Sequence, residues 1–404
     1  MEVVERLREA EEGELGQILK LANQVFREDS GFKPSLQDEF PLVFNTGNLH
    51  NLILFSENGL VVSFLALVKN DAIIMRCPIG VGSVTYVCTR PGYRGRGLAT
   101  ALVREAEERH RRNGCDIMTI GGGWDTLPYT FYGRIGYVPV GKMLNFVVNK
   151  EDALGLQNGK VEVAPYKRVD LPQVSGAYRK EPVRYFRCLD DFTTLLDVGS
   201  RITQYGLNQD VLVVRRGGMF AAYLVLRVYE ETGEKKADLY EYAGARSAIL
   251  AAIPHVFQRY QLSEMQFCLL PHDTEMTEGL KGVCKRSRVV SLAVPRHPYS
   301  KGLVESMAGI QLKVLNFQQL MLKLRPYFEE QLGGTEASSL KTWASQDEYS
   351  FEHKGEILTF QGEADLAKLM FADGAARLEG EGKLNKVLRR IFPIPLPWPG
   401  LNYA

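Results

Sequence analysis

The chain has 404 residues, of which 45% are hydrophobic and 24% are charged. These proportions are ordinary for a folded globular protein and exclude an intrinsically disordered chain, and the length predicts about two to four domains. The 49 basic and 48 acidic residues nearly cancel. The overall charge therefore gives no indication of nucleic-acid binding, and we expect no nucleic-acid partner.

Several features point to a cytoplasmic protein. Residues 1–8 are charged and contain no apolar core of signal-peptide length. The apolar stretch at residues 61–68 is far shorter than the about 20 residues that cross a bilayer, so we expect no membrane partner. The six cysteines are scattered without a C-x-x-C pair and the six histidines are isolated. This spacing predicts reduced, buried thiols and no metal site.

The first third of the chain predicts alternating helices and strands. Residues 2–7 read as a strand, residues 11–26 as an amphipathic helix, and residues 57–59 (Glu-Asn-Gly) as a hairpin turn between two strands. A third strand at residues 83–89 precedes a helix at 98–112 and another strand at 117–120. The same order of a strand meander, a helix and a strand recurs between residues 210 and 270.

The last third predicts a smaller α+β segment and an apolar tail. A strand at residues 310–315 leads to a helix at 316–332 with Asn316 as its N-cap, and a hairpin at 349–361 leads to helices at 364–371 and 382–391. The tail from residue 392 has four prolines and many apolar residues. We expect it to lie extended in a groove of the protein.

The most informative pattern is Arg-Gly-Arg-Gly-Leu-Ala at residues 94–99, where a predicted strand passes into a predicted helix. Small residues let the backbone approach a ligand closely, and the N–H groups of the first helical turn form an anion site suited to a pyrophosphate. A Gly-rich turn with solvated arginines is the alternative interpretation. The pattern is neither a Walker loop nor a G-x-G-x-x-G dinucleotide motif.

In its strand-to-helix context this pattern resembles the coenzyme A pyrophosphate loop of the GNAT acetyltransferase superfamily, Q/R-x-x-G-x-G/A. The sequence Phe-Tyr-Gly-Arg-Ile-Gly-Tyr at residues 131–137 resembles the second motif of that superfamily. Residues 84–87 (Val-Thr-Tyr-Val), 91–98 and 132–137 further resemble the Eis (enhanced intracellular survival) family of aminoglycoside acetyltransferases. This resemblance extends over the whole chain.

The resemblance implies a mixed α+β and α/β architecture with tandem GNAT folds. Residues 1–148 would form the acetyl-CoA-binding domain, and residues 149–295 a central GNAT-like domain. The central domain would not bind coenzyme A, because residues 243–248 lack the R-x-x-G-x-A pattern. Residues 296–404 would form a sterol-carrier-protein-like domain whose tail enters the active site.

The resemblance also implies the site residues. Tyr132 matches the general acid of the family, and the α-carboxylate of the last residue, Ala404, would serve as the base, with Asp125 as the second candidate. Tyr86 and Trp124 would contact the amine; Phe26, Tyr129 and Trp398 are further candidates for this contact. The residues expected to bind acetyl-CoA are Val87, Cys88, Thr89, Arg94, Gly95, Arg96, Gly97, Leu98, Ala99 and Thr100.

The implied function is transfer of an acetyl group from acetyl-CoA, as a cosubstrate, to a primary amine of a small polyamine-like acceptor such as an aminoglycoside. The family also implies a homo-oligomer, with a hexamer as one form. The alternatives are a protein-lysine N-acetyltransferase, a non-catalytic acetyl-CoA-binding protein and a lipid-binding protein. Retention of both Tyr132 and the pyrophosphate loop favours an enzyme.

Overall fold

The computed structural model describes residues 6–123, 127–156, 159–284, 286–291 and 308–402. Two compact units are present. The first unit comprises the described residues within 6–141 and 308–396, and the second comprises those within 142–291 and 397–402. The predicted division into three domains remains a prediction.

The secondary structure is as follows. The strands are β1 Arg8–Glu9, β2 Leu52–Glu57, β3 Leu60–Ile74, β4 Cys77–Thr89, β5 Ile117–Gly123, β6 Val138–Pro139, β7 Lys142–Asn149, β8 Glu162–Pro165, β9 Val183–Tyr185, β10 Asn208–Arg216, β11 Met219–Glu231, β12 Glu234–Gly244, β13 Glu264–Leu269, β14 Arg286–Ser291, β15 Ala308–Val314, β16 Leu340–Ser345, β17 Glu348–His353 and β18 Glu356–Gln361. The α-helices are α1 Leu15–Phe26, α2 Leu36–Glu39, α3 Leu98–Arg112, α4 Leu127–Arg134, α5 Lys150–Leu154, α6 Leu171–Tyr178, α7 Leu189–Leu196, α8 Val198–Ile202, α9 Arg246–Tyr260, α10 Thr274–Lys281, α11 Phe317–Lys323, α12 Arg325–Leu332, α13 Gly334–Ser338, α14 Gly362–Phe371 and α15 Lys383–Ile391.

The first unit is built on a sheet with the strand order β1-β2-β3-β4-β5-β15-β6. Strands β4 and β5 are parallel, whereas β15 runs antiparallel to both of its neighbours. Alternate residues of β2 and β3 enter different cores, as expected from the two-residue period of a strand. Leu54 and Phe64 pack on the side of α1, and Ile53 and Leu65 pack on the side of α3. Helices therefore cover both faces of this sheet.

The parallel ladder between β4 and β5 is short. It runs from the pair Val81–Ile117 to the pair Val84–Ile120, and both strands continue beyond it. Just past this ladder β4 carries a bulge against β3, because Ala66 pairs with Thr85 whereas Phe64 pairs with Cys88. Such bulges bend a strand and redirect its side chains. The bulge therefore separates the end of β4 from the straight part of the sheet.

The C-terminal part of the first unit contains a three-stranded sheet, β16-β17-β18, and helices α11–α15. Asn316 caps α11 as predicted, and its Oδ1 accepts the Gln319 N–H at 3.1 Å. The single helix predicted for residues 316–332 is wrong. Helix α11 ends at Lys323 and α12 begins at Arg325, with Pro326 in its first turn, because proline has no N–H to continue the helical ladder.

The second unit has a seven-stranded sheet with the order β14-β7-β13-β12-β11-β10-β8. The predicted recurrence of a meander, a helix and a strand is present: β10, β11 and β12 are antiparallel, α9 follows, and β13 pairs in parallel with β12. Ile249, Ile253 and Val256 of α9 are buried against this sheet in one core. Strand β7 belongs to this sheet, although we expected residues 142–148 in the first domain.

The remaining predictions on local structure have mixed outcomes. The predicted strand at residues 2–7 lies largely outside the described residues, and the structure has β1 at Arg8–Glu9. All six cysteines are free, but the expectation of buried thiols is wrong for Cys188, which is exposed, and for Cys268 and Cys284, which are half-buried. The tail is not extended throughout, because Gly400–Asn402 forms a 3-10 turn.

Candidate active site

A cavity of about 560 Å³ opens in the first unit where β4 leaves the parallel ladder. Its volume lies within the range of about 300–1,000 Å³ that is typical of small-molecule sites. The lining residues are Val25, Val87, Cys88, Thr89, Tyr93, Arg94, Gly95, Gly97, Leu98, Ala99, Thr100, Pro128, Thr130, Phe131, Tyr132 and Arg134. The structure thus brings together nine of the ten residues expected to bind acetyl-CoA and the expected acid, Tyr132.

The loop before α3 has the conformation of an anion-binding turn. Gly95 and Gly97 have φ angles of +78° and +80°, which side-chain-bearing residues rarely adopt. An added Cβ on either glycine would meet nothing within 4 Å, so the backbone angle rather than crowding favours glycine. Gly97 is the N-cap of α3, and its carbonyl accepts the Ala101 N–H at 3.0 Å. The N–H groups of residues 98–100 therefore precede the first intrahelical bond and suit a phosphate.

The two arginines of the loop differ. Arg94 lines the cavity, and its Nε donates to the Thr89 carbonyl at 3.2 Å. The Arg96 guanidinium lies 4.6 Å from the centre of the Tyr93 ring and 3.9 Å from the Glu57 carboxylate. Because of these contacts Arg96 is not among the lining residues in the described part of the chain. Its contact with the pyrophosphate remains a prediction.

Tyr132 is buried in the wall of the cavity, with only 5% of its surface exposed. Its ring packs edge-on against Phe131 at 5.1 Å and Tyr137 at 6.2 Å. Burial raises the pKa of Tyr132 well above the usual value for a phenol, and it also raises the pKa of the Cys88 thiol. Both groups are therefore protonated at neutral pH, and Tyr132 has a proton to donate.

Tyr86, which we expected to contact the amine, packs in an aromatic cluster beside α1. It sits in the bulge with a φ angle of +55° and packs among Phe26, Phe40 and Phe44 at ring distances of 4.9–5.3 Å. It is not among the residues that line the cavity within the described ranges. Its contact with the amine remains a prediction.

Several other expected site residues fall outside the described part of the chain. Trp124, Asp125 and Ala404 fall outside the described residues, and the side chain of Tyr129 is not described. Trp398 belongs to the second unit, where its indole Nε1 donates to the Tyr240 carbonyl at 2.8 Å.

Asp116, which directly precedes β5, has a structural role. Its Oδ2 accepts the Gly80 N–H at 2.7 Å and the Lys323 ammonium at 2.6 Å, and the residue is fully buried. Its backbone carbonyl accepts the N–H groups of Leu315 and Asn316. Asp116 therefore ties the C-terminal part of the first unit to the GNAT-like part.

Sequence reasoning missed several residues that line the cavity. Val25 reads as an ordinary core position of an amphipathic helix, so nothing in the pattern distinguishes it. Thr130, Phe131 and Arg134 adjoin Tyr132 in the second motif. Their position in that motif was an available signal.

Metal-binding clusters and membrane-spanning helices were both expected to be absent. No group of three or more His, Cys, Asp or Glu side chains is placed to hold a metal ion within the described ranges. No helix in the described part of the chain is long and apolar enough to cross a membrane.

Comparison with known proteins identifies the domain that holds the cavity. Residues 6–140 match the family model of the acetyltransferase (GNAT) domain. No curated protein matches the chain significantly.

Solved structures match over 97% of this chain and 98% of theirs. They include GCN5-related N-acetyltransferases from Kribbella flavida (14% identity, TM-score 0.61) and Anabaena variabilis (12%, 0.66) and Eis1 from Mycobacterium abscessus (12%, 0.61). At these identities the likeness concerns the fold alone. The match to the GNAT family model, around a cavity that contains the pyrophosphate-type loop and Tyr132, shows that the chain carries a GNAT acetyltransferase domain and is an acyltransferase enzyme.

Proposed function

We propose that the protein transfers an acetyl group from acetyl-CoA to a primary amine of a small polyamine-like acceptor such as an aminoglycoside. The observation that carries this proposal is the 560 Å³ cavity that contains the glycine loop, the end of β4 and the phenol of Tyr132. A GNAT domain implies use of acetyl-CoA. The aminoglycoside class comes from the resemblance of the sequence motifs to the Eis family, and the similarity to the Eis1 structure supports the fold alone.

Different residues of the chain bind different parts of acetyl-CoA. The N–H groups at the start of α3 and the Arg94 guanidinium hold a pyrophosphate, and the backbone of Val87–Thr89 aligns the pantetheine arm. Holding the thioester and the amine together in one cavity supplies a large part of the rate enhancement, since well-oriented reactants gain roughly 7–11 kcal/mol. Binding by these residues thus also orients the reacting atoms.

Two groups move protons. As the amine nitrogen forms its bond to the acetyl carbon, Tyr132 donates its phenolic proton to the sulfur that leaves with the broken C–S bond. The α-carboxylate of Ala404 takes the proton that the amine loses. Because an α-carboxyl has a reference pKa of about 3.3–3.7, it acts best by orienting the amine or by passing its proton on to water.

The finer architecture belongs to the same proposal. Residues 149–295 form a GNAT-like domain without a coenzyme A loop, and residues 296–404 form a sterol-carrier-protein-like domain that is structural. The active protein is a homo-oligomer. The mass of the purified protein in solution, measured by light scattering, tests this last point, and a mass equal to one chain would contradict it.

The test is thiol release from acetyl-CoA across a panel of aminoglycosides, polyamines and lysine peptides. We expect turnover with the small polyamines and weak or no turnover with the peptides; the reverse order would favour a protein-lysine acetyltransferase. A variant with residues added after Ala404 should bind acetyl-CoA normally and lose turnover. Full activity of that variant would exclude the terminal carboxylate.

A further inference from the structure

The second unit has a cleft at the place that corresponds to the coenzyme A cavity of the first. The parallel ladder between β12 and β13 runs from Lys236–Glu264 to Leu239–Phe267, and β12 continues to Gly244. A bulge against β11 follows directly, because Leu226 pairs with Leu239 and Val225 pairs with Glu241. The two units thus share a short parallel ladder followed by a bulge.

The chain's own tail occupies this cleft. Trp398 Nε1 donates at 2.8 Å to the carbonyl of Tyr240, the first residue beyond the ladder. The Leu401 N–H donates at 2.9 Å to Glu241 Oε2, and the Leu401 side chain is buried. The tail therefore donates two hydrogen bonds to the end of β12, one from a side-chain N–H and one from a backbone N–H. The acceptors are a backbone carbonyl and a carboxylate oxygen.

Glu241 is the centre of this contact. It is 6% exposed, and its two oxygens accept the two terminal nitrogens of Arg187 at 2.8 and 2.6 Å. Oε1 also accepts the Tyr223 hydroxyl at 2.7 Å, which leaves Oε2 to accept the tail. Arg187 Nε in turn donates to Asn402 Oδ1. Arg187 thus donates one hydrogen bond to the tail and Glu241 accepts one from it. A buried polar group that loses its partner destabilises the structure.

The tail backbone is shaped to this contact. Gly400 has a φ angle of +53°, and a Cβ there would collide with the Glu241 carboxylate. Glycine is therefore required both by the backbone angle and by the approach of the chain to Glu241.

Little room remains for another ligand in this cleft. The cavity beside Trp398 measures about 60 Å³, far below the volume of a small-molecule site. At the start of α9, Arg246 is engaged by Glu181 at 2.6 Å and by Asp273 at 3.0 Å. The charge of Arg246 is thus already paired with two carboxylates of the protein, so Arg246 is not available to bind the phosphate of a ligand.

We propose that this cleft is a peptide-binding site for the chain's own residues 397–402, and that Glu241 is a positioning residue for acetyl transfer. Two residues, Tyr403 and Ala404, follow this anchor, and two residues span at most about 7 Å. Anchoring at Glu241 therefore restricts where the terminal carboxylate can go. The positioning role rests on the proposed function, in which that carboxylate serves the reaction, whereas the peptide contact does not.

The test uses the full chain and two readouts. Hydrogen exchange of residues 397–402, followed by mass spectrometry, reports the anchor, and thiol release gives kcat and the KM for acetyl-CoA. The variants are Gly400→Ala and Trp398→Phe in the tail and Glu241→Gln in the cleft. Gly355→Ala, also at positive φ (+83°) but with nothing within 4 Å of the new Cβ, controls for backbone strain, and Glu234→Gln, exposed on the same strand, controls for charge.

We expect exchange in the tail to rise at least tenfold in Gly400→Ala and Glu241→Gln, and to rise less in Trp398→Phe. We also expect kcat to fall at least tenfold with an unchanged KM for acetyl-CoA, whereas both controls behave as the wild type. If Glu241→Gln fails to fold because Arg187 loses its partner, the two tail variants carry the test.

The proposal is overturned if tail exchange stays slow in Gly400→Ala, or if the tail is released and kcat does not change. Failure of the proposed function has a different signature: no turnover by the wild type with any amine, or full activity after extension beyond Ala404. Tail exchange is independent of both of these activity results.

Discussion

Val84 and Tyr86 are two positions apart on β4, yet they pack on opposite faces of the sheet. Val84 lies in the core on the side of α3, whereas Tyr86 lies in the core on the side of α1. In a regular strand these two side chains would share a face. The bulge between Thr85 and Cys88 reverses the alternation at the point where the cavity begins.

Tyr132→Phe tests the assignment of the acid. Loss of the phenolic proton should lower kcat by about 100-fold or more, the usual contribution of a general acid, with little change in acetyl-CoA binding. Tyr137→Phe is the matched control, because Tyr137 is an equally buried neighbour whose hydroxyl contacts Met118 Sδ at 3.1 Å. Equal turnover of the two variants in a thiol-release assay would reject the assignment.

The pH profile offers an independent check on Tyr132. Burial raises its pKa above the usual value of about 10, so the proton-donating form persists through neutral and mildly alkaline pH. We therefore expect kcat to show no decline from this group as the pH rises from 7 to 10. An alkaline decline with a midpoint below pH 9, under conditions where the protein stays folded, would contradict a buried acid.

Gly97→Ala tests the loop at the start of α3. The substitution places a Cβ at φ +80°, which costs roughly 1–2 kcal/mol and favours a different turn. We expect the KM for acetyl-CoA to rise roughly tenfold, since about 1.4 kcal/mol is a factor of ten in affinity. Gly92→Ala is the control, because a Cβ at Gly92 also meets nothing within 4 Å but the residue lacks a positive φ; it should leave the KM for acetyl-CoA unchanged. A similar rise of KM in both variants would show that acetyl-CoA binding does not depend on the turn at Gly97.

Asp116→Asn separates structure from chemistry. It removes the charge that Lys323 contacts at 2.6 Å, and losing a hydrogen bond at a buried charged group costs roughly 1–3 kcal/mol. We expect a clear loss of stability in urea denaturation but a normal kcat per folded molecule. Asp71→Asn, at an exposed position of β3, is the control. A large fall in kcat for folded Asp116→Asn would mean that Asp116 takes part in catalysis.

Calorimetry should count one acetyl-CoA per chain. The tail and the carboxylates of Glu181 and Asp273 already engage the partners that a ligand would use in the second unit. A stoichiometry near two would show that the second cleft also binds coenzyme A.

The two sequence motifs contribute residues to one cavity, whereas the roles of these residues remain predictions. The Arg-Gly-Arg-Gly loop and the Tyr132 motif are short stretches whose conformation depends on residues next to them, and both line the same cavity. Pro326 is a local signal for the break between α11 and α12, because proline has no N–H to continue the helical ladder.

Long-range contacts explain what the sequence did not predict. The reversal at Tyr86 depends on how β4 pairs with β3, and the position of Trp398 depends on a carbonyl 158 residues away. Strand β7 has an ordinary apolar alternation that fits either sheet. The local sequence of such a strand does not determine which strand it pairs with.

The place of β15 has a consequence for how the first unit is made. Residues 308–314 lie in its sheet between β5 and β6, although the family model ends at residue 140. A nascent or recombinant fragment that stops there would expose the backbone N–H and C=O groups along β5, and an open strand edge promotes aggregation. The ribosome therefore synthesises the glycine loop early, but the sheet that supports it closes only after residues 142–307 and β15 have been translated.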